Sequence, residues 1–243
     1  MEHAIPNFSS PVLLFLFIVS PFLAALCVYQ LRSLPLQSFI VSVTTTAMAI
    51  GVLLMSSRVP LGLSLLPVWG IDPHAAIRVA DFILLGLIFY FGSRFRHPVI
   101  KILSVLQIVL LAFLNFFIKG KPPVDTLYGD NLSLMVIMVA SIATALSTMR
   151  LSFIPSLRAL EDNADLKQSS RHRFFALLLV CIGALNGTVL SNDMSFFYFF
   201  FELITLGSFL LMAQKGTPAA EKKAVRTLSL TSLAGLIFLI SMA

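Results

Sequence analysis

The segment FFYFFFELITLGSFLL, residues 196–211, is apolar apart from a few hydroxyl groups, and it contains one carboxylate, that of Glu202. With its flanking residues it reaches the roughly 20 residues that an α-helix needs to cross a bilayer. The whole chain has the same character, since 58% of its 243 residues are hydrophobic and 12% are charged. A soluble protein of this length could not bury so much apolar surface. The sequence therefore predicts an all-α integral membrane protein.

Eight apolar segments of suitable length are bounded by charged residues or proline. We predict membrane spans at about residues 11–31, 37–55, 77–93, 98–118, 131–149, 173–190, 194–213 and 226–242. The longest polar link, residues 150–173, carries charges of both signs but is too short for a second domain. About eight transmembrane helices joined in this way indicate one helical bundle.

Basic residues are distributed unevenly over the links between the predicted spans. The first, third, fifth and seventh links carry 13 of the 17 Lys and Arg residues. Positively charged loops of a membrane protein tend to stay in the cytoplasm. We therefore expect a multi-pass protein of the cell (inner) membrane with both termini on the outer side. Contact with the lipid bilayer is implied, whereas the net charge of +6 does not call for nucleic-acid binding.

The sequence lacks the patterns of a metal centre or a common catalytic site. Its four histidines lie at the amino terminus or in links, without a second His at metal-ligand spacing. Phosphate-binding glycine loops, nucleophile elbows and closely spaced cysteine pairs are also missing. We therefore predict no metal, no cofactor in this chain and no catalytic site of its own, which leaves open whether it is part of an enzyme.

Glu202 is the acid predicted to lie deepest in the membrane. At a rise of 1.5 Å per residue it is about 12 Å from a helix start near residue 194, close to the middle of a hydrocarbon layer about 30 Å thick. A stripe of roughly 80° on this helix carries polar groups. Its members are Ser195, Tyr198, Glu202 and Thr205. Because exposure of an acid to lipid is costly, this face is expected to point into the bundle or toward water.

A second acid, Asp81, falls near the start of the third predicted span, three residues after Arg78. Opposite charges at i and i+3 lie on the same side of a helix and attract each other. We therefore expect Asp81 and Arg78 to form an ion pair at the membrane interface. Glu202 is then the acid expected to be a buried functional group.

A carboxyl group at the depth of Glu202 is balanced between two states. The protonated form tolerates a low dielectric, whereas the ionised form needs a cation or water. Movement of a proton or a cation nearby switches the group between them, which predicts a relay in ion translocation. The alternative is a static ion pair, or a protonated acid hydrogen-bonded to another helix. An intramembrane enzyme is disfavoured because no second catalytic group is expected at this depth.

Segments in the second half of the chain resemble one family of membrane proteins. They are LSND (190–193), FFELITLGSFLLM (200–212), YGDNLSLMV (128–136), HRFFALLLV (from residue 172) and AVRTLSLTSLAGLIFLI (from residue 224). These resemble helices three to six of the antiporter-like subunits shared by respiratory complex I, Mrp-type Na+/H+ antiporters and membrane-bound energy-converting hydrogenases. The resemblance suggests amino-terminal helices within residues 1–76, which match nothing in the family, followed by an antiporter-like half-bundle at 77–243.

The resemblance implies that Glu202 is the family's transmembrane glutamate, which pairs with a lysine on the seventh family helix during coupled proton movement. That helix and the second half-channel are missing here, so we expect a lysine-bearing antiporter-like chain as a partner. Lys222, Lys223 or Arg226 is a second possible source of the cation, and His172 a possible aid to proton transfer at the membrane face.

Two functions follow as expectations. The first is a membrane-arm subunit of a complex I-like, hydrogenase-like or Mrp-like assembly, which contributes part of a proton or Na+ path through Glu202. The second is a structural or adaptor subunit that keeps the family's packing but conducts nothing. In both, the partners are other membrane subunits, and soluble subunits of the complex would carry any cofactor.

Overall fold

The computed structural model describes residues 10–31, 33–56, 60–64, 72–95, 97–117, 125–153, 164–214 and 216–242. Within these ranges the chain forms eight helices and a two-stranded antiparallel sheet: α1 (Ser10–Gln30), α2 (Leu34–Met55), β1 (Leu61–Leu63), α3 (Pro73–Arg94), α4 (Pro98–Phe117), β2 (Leu127–Gly129), α5 (Asn131–Phe153), α6 (Ala164–Leu190), α7 (Met194–Ala213) and α8 (Pro218–Met242). Each helix is long and apolar enough to cross a membrane. The prediction of an all-α membrane protein with about eight spans is confirmed, and the chain is a multi-pass membrane protein.

Two helices begin well before the predicted spans. Helix α6 begins at Ala164 rather than near residue 173, and α8 begins at Pro218 rather than near residue 226. Their first turns are polar, with charged residues such as Glu221. Hydropathy marks the part of a helix that suits hydrocarbon, whereas backbone hydrogen bonds continue into the polar turns. The helices are therefore longer than the apolar runs that predicted them.

Aspartate side chains cap three of the helices at their amino-terminal ends. Asp72 accepts a hydrogen bond from the His74 N–H (3.1 Å), and Asp193 accepts one from the Ser195 N–H (2.7 Å). Asp130 accepts one from the Ser133 N–H at 2.7 Å. Interactions with the side chain and backbone of Ser133 hold the pKa of Asp130 below its usual value. These carboxylates satisfy N–H groups that a helix leaves without partners in its first turn.

The helices divide into two compact units, and the first is formed by Met1–Ser64 and Asp125–Leu190. In it, α1 packs against α2 and α6, and α5 packs against the same two helices. The two-stranded sheet belongs to this unit, with Leu61 opposite Gly129 and Leu63 opposite Leu127. A Cβ atom on Gly183 would lie 2.9 Å from a ring carbon of Phe22. A glycine is thus needed for the close approach of α6 to α1.

The second unit consists of Leu65–Val124 and Ser191–Ala243. Helices α3 and α8 each pack against both α4 and α7, so the four helices surround a common core. The rings of His74 and Phe196 lie 5.3 Å apart at one end of α3 and α7, and those of Phe91 and Phe209 lie 5.2 Å apart at the other. Helices α3 and α7 are therefore parallel. The predicted division at residues 76 and 77 followed the family resemblance, and it remains a prediction.

A buried hydrogen bond between helices of the first unit yields a stability prediction. The Asn186 side-chain N–H donates to the backbone carbonyl of Phe17 at 2.9 Å. Replacing Asn186 by Ala removes this interhelical bond and should lower the free energy of unfolding by about 1 kcal/mol. Reversible unfolding in mixed micelles measures this change.

Thr188→Ala is the matched control, because the Thr188 hydroxyl donates to the Ala184 carbonyl of its own helix at 2.9 Å. That bond does not connect two helices, so its loss should change stability much less. Equal losses for the two variants would contradict the role of Asn186 in joining α6 to α1.

Candidate functional site

The carboxyl group of Glu202 lies inside the second unit and has no exposed surface (0%). The Gln107 side-chain N–H of α4 donates to the Glu202 Oε1 atom at 2.8 Å. The same nitrogen lies 3.4 Å from the Tyr198 hydroxyl, one helical turn before Glu202 on α7. Glu202 is thus bonded to a neutral amide, and its Oε2 atom has no hydrogen-bond partner.

Polar side chains from all four helices of the second unit accompany Glu202, and we call this set the polar layer. It consists of Asp81 on α3, Gln107 on α4, Tyr198 and Glu202 on α7, and Ser232 on α8. Helix α3, which carries Asp81, packs directly against α7, which carries Tyr198 and Glu202. All five side chains are buried, so the layer is a polar region within an otherwise apolar four-helix core.

The polar layer lies at one level of the four helices. At 1.5 Å per residue, Asp81 and Glu202 each lie about 12 Å from the first residue of their parallel helices. Gln107 and Ser232 lie about 15 Å from the last residues of α4 and α8, which run in the opposite direction after short connections. The four helices therefore bring these groups to within about one turn of the same depth.

Gly235 of α8 lies directly against the Glu202–Gln107 pair. A Cβ atom at this position would collide with Glu202 Oε1 and would lie 2.7 Å from Gln107 Nε2. Since any larger residue would displace one partner, Gly235 allows α8 to close over the hydrogen bond. The Tyr198 ring also packs on α8, stacking on Phe238 with a centroid distance of 6.3 Å.

The stripe that was predicted on α7 is mostly buried. Tyr198, Glu202 and Thr205 are buried, whereas Ser195 is half-buried at the start of the helix. The backbone N–H of Ser195 donates to Asp193, which caps the helix. Tyr198 and Glu202 are therefore brought together in the polar layer, while Ser195 lies about 10 Å from Glu202 along the helix axis.

The predicted supporting cations do not meet Glu202. Lys222, Lys223 and Arg226 are exposed, and Arg226 lies about 13 Å along α8 from Gly235. His172 belongs to the first unit, where its ring makes an edge contact with that of Tyr29 at 5.7 Å. None of these four side chains forms an ion pair with Glu202 in the described structure.

The expected interfacial pair between Asp81 and Arg78 was wrong. Asp81 is 1% exposed and its Oδ1 atom has no hydrogen-bond partner, whereas Arg78 is exposed. The sequence did contain a signal for this, because Asp81 precedes Leu84, Leu85 and Ile88 at helical spacing, and all of these are buried. Asp81 is thus the first of the buried residues on the side of α3 that faces the core.

Gln107 was missed because a lone glutamine in an apolar helix carries no charge to attract notice. It lies on the same face of α4 as the buried residues Ser104 and Leu111. The spacing of three and four residues between them was visible in the sequence. That Gln107 faces Glu202 depends on the packing of α4 against the other helices, which the spacing does not specify.

Asp81 is a second acid at the depth of Glu202. An intramembrane enzyme was disfavoured because only one such group was expected there, so that reason no longer holds. A hydrolase that uses two carboxyl groups needs space for a substrate beside them. Glu202 and Asp81 are 0% and 1% exposed, and the backbone of Gly235 lies against Glu202. This closed arrangement separates both carboxyl groups from the surface of the unit.

Comparison with protein-family models, with curated proteins and with solved structures finds no match to this chain.

The contact of Gly235 with the polar layer leads to a second prediction. Gly235→Ala should separate Glu202 from Gln107 and lower stability by about 1–3 kcal/mol, as expected for overpacking of a close-fitting core. Thermal unfolding in detergent measures the change. Gly86→Ala on α3 is the matched control, because a Cβ at Gly86 has nothing within 4 Å.

Alanine favours a helix over glycine by up to about 1 kcal/mol, so the control variant should be neutral or slightly more stable. If Gly235→Ala were as stable as Gly86→Ala, the close fit of α8 against Glu202 would be refuted.

Proposed function

We propose that this chain is a membrane-arm subunit of an ion-translocating complex of the complex I-like, hydrogenase-like or Mrp-like kind, and that Glu202 relays a proton or cation. The observation that carries the proposal is a carboxyl group buried near the middle of a membrane helix, with a neutral amide as its hydrogen-bond donor. A permanently ionised carboxylate in such a place needs a cation. A carboxyl group that gains and loses a proton or cation does not need a fixed positive partner in the protein.

The resemblance of α5 to α8 to the antiporter-like subunits supports the same function. It places the family's key glutamate at Glu202, within a helix whose polar side chains face the core of the second unit. In the described residues, no Lys or Arg side chain pairs with Glu202. The lysine that the family uses would therefore come from a neighbouring antiporter-like subunit, and soluble subunits would carry the energy-yielding cofactors.

The membrane and the orientation of the chain form part of the proposal. The excess of Lys and Arg in alternate links supports insertion in the cell (inner) membrane with both termini on the outer side. In this orientation α7 begins at the outer surface, and Glu202 lies about 12 Å below that end. The acid would then be accessible from either side only through the helix bundle.

A structural or adaptor role is the second candidate, and one contact favours it. The Gln107–Glu202 bond joins α4 to α7, as expected for a protonated acid that holds two helices together and never releases its proton. The two functions differ in whether the acid must ionise. They make opposite predictions for a substitution that keeps the shape and hydrogen-bonding capacity of the side chain but removes the carboxyl group.

Glu202→Gln is that substitution, and it should be tested in the complete complex purified from its native membrane. After reconstitution in liposomes, the rate of proton or Na+ translocation driven by the complex is measured with a dye or an isotope. If Glu202 is a relay, the rate should fall by about tenfold or more, because loss of a positioned proton carrier costs at least that much.

Glu221→Gln is the matched control, since Glu221 is an exposed acid in the first turn of α8. Its complex should translocate ions at the normal rate. An assembled Glu202→Gln complex with unchanged translocation would refute the relay and leave the adaptor role, whereas loss of assembly in that variant alone would identify the acid as a structural group.

A further inference from the structure

Asp81 and Glu202 form a buried pair of acids, a feature that a single-glutamate relay does not use. Both lie about 12 Å from the start of parallel helices, and these two helices pack against each other. Each has one oxygen without a hydrogen-bond partner, Oδ1 of Asp81 and Oε2 of Glu202. The two acids are therefore close enough to affect each other's ionisation, but no direct hydrogen bond joins them.

The surroundings of the pair offer no positive charge. Of the other helices packed around it, α4 presents the neutral Gln107 and α8 the neutral Ser232, while α7 adds only the hydroxyl of Tyr198. Lys101 on α4 is half-buried about 9 Å along the helix from Gln107. No Lys, Arg or His of the described residues forms an ion pair with either acid. Two negative charges held together in a low dielectric repel strongly, so both acids do not ionise at once.

Two further buried groups without partners belong to the same layer. Gln107 Oε1 and Ser232 Oγ make no hydrogen bond, although Gln107 is held in place by its bond to Glu202. Together with the free oxygens of the two acids they provide four polar atoms. A buried water molecule needs two to four such partners. The number of these atoms is enough for one water molecule bound within the layer.

We propose that Asp81 and Glu202 are a proton-sharing carboxyl pair, which holds one proton in common and exchanges it through water bound in the polar layer. In the exchange, the O–H bond at Glu202 Oε2 breaks as its proton passes to the water. The water gives one of its own protons to Asp81 Oδ1, where a new O–H bond forms. The negative charge moves from Asp81 to Glu202, and the water is regenerated.

The helix geometry favours a proton over Na+ as the bound species. Sodium sites within membranes commonly use backbone carbonyls that an unwound helix sets free. Helices α3, α4, α7 and α8 are each continuous through the polar layer, so their carbonyls stay engaged in the helices. The four side-chain oxygens of the polar layer that have no hydrogen-bond partner remain. They are enough to bind one water molecule that passes protons.

This inference names the ion of the proposed relay and to that extent rests on the proposed function, but its test measures proton binding instead of transport. The complete chain is purified in nanodiscs, and the infrared bands of protonated carboxyl groups are followed as a function of pH in wild type, Asp81→Asn and Glu202→Gln. Coupled acids lose their protons in two steps that belong to the pair. We expect the wild-type titration to be broader than the sum of the two single-variant titrations by more than about one pH unit.

A wild-type curve equal to the sum of the two variant curves would overturn the proposal, because the acids would then ionise independently. Loss of the bands on addition of Na+ at constant pH would also overturn it, in favour of a sodium site. Asp72→Asn is the control, since Asp72 is an exposed acid at the start of α3 and asparagine caps a helix equally well. Apart from the loss of its own carboxyl band, its titration should match that of wild type.

The Asp81→Glu variant tests whether misfolding of Asp81→Asn or Glu202→Gln, and not loss of the coupled pair, explains a change in the titration. This variant keeps two carboxyl groups, so the broad titration should persist if the pair is real, and a narrow one in a folded Asp81→Glu protein would count against it. Circular dichroism establishes the helical content of every variant. If the infrared titration shows no coupling between the acids, the proton-sharing pair is refuted but a relay by Glu202 alone is not. That relay is tested separately, by the translocation rate of the Glu202→Gln complex.

Discussion

The packing of the second unit surrounds a carboxyl group, that of Glu202, which is fully removed from water. Ionisation of such a group costs several kcal/mol unless a cation or several hydrogen bonds offset it. The structure gives Glu202 one donor, the amide of Gln107, and a second acid at the same depth. The arrangement therefore does not stabilise one permanent charge state. A small change in the surroundings, such as the approach of a proton or a cation, decides the charge state of Glu202.

The apolar packing around the polar layer gives it a defined geometry. Ring contacts at both ends of α3 and α7, between His74 and Phe196 and between Phe91 and Phe209, hold the two acid-bearing helices parallel. Gly235 lets α8 reach the carboxyl group, and the stacked rings of Tyr198 and Phe238 hold α8 against α7. Because helices in a membrane are joined by close packing more than by the hydrophobic effect, small residues and matched rings determine where the polar groups meet.

The family resemblance and the packing divide the chain in different ways. The segments on which the proposed resemblance rests all lie between residues 128 and 240, which include α7 and most of α8. Asp81 and Gln107 belong to α3 and α4, outside that region, but they pack in the same unit as Glu202. The surroundings of the glutamate are therefore formed in part by helices for which the resemblance offers no guide. A role carried over from the family describes Glu202 itself, whereas its neighbours follow from the structure of this chain.

The sequence by itself determined the membrane class, the eight spans, and the presence of a deep acid on a polar stripe of α7, because length, hydropathy and helical spacing are local properties. It carried a signal for the inward position of Asp81 in the spacing of Leu84, Leu85 and Ile88, but the nearby Arg78 led to the wrong prediction of an interfacial pair. Only the tertiary structure decided that Gln107 donates to Glu202 and that Asp81 is its neighbour. These residues are about 90 to 120 positions apart in the chain, and nothing in a helical period specifies which helices will pack together. The partners of a buried charge depend on that packing, since they must lie within hydrogen-bonding or electrostatic reach in space.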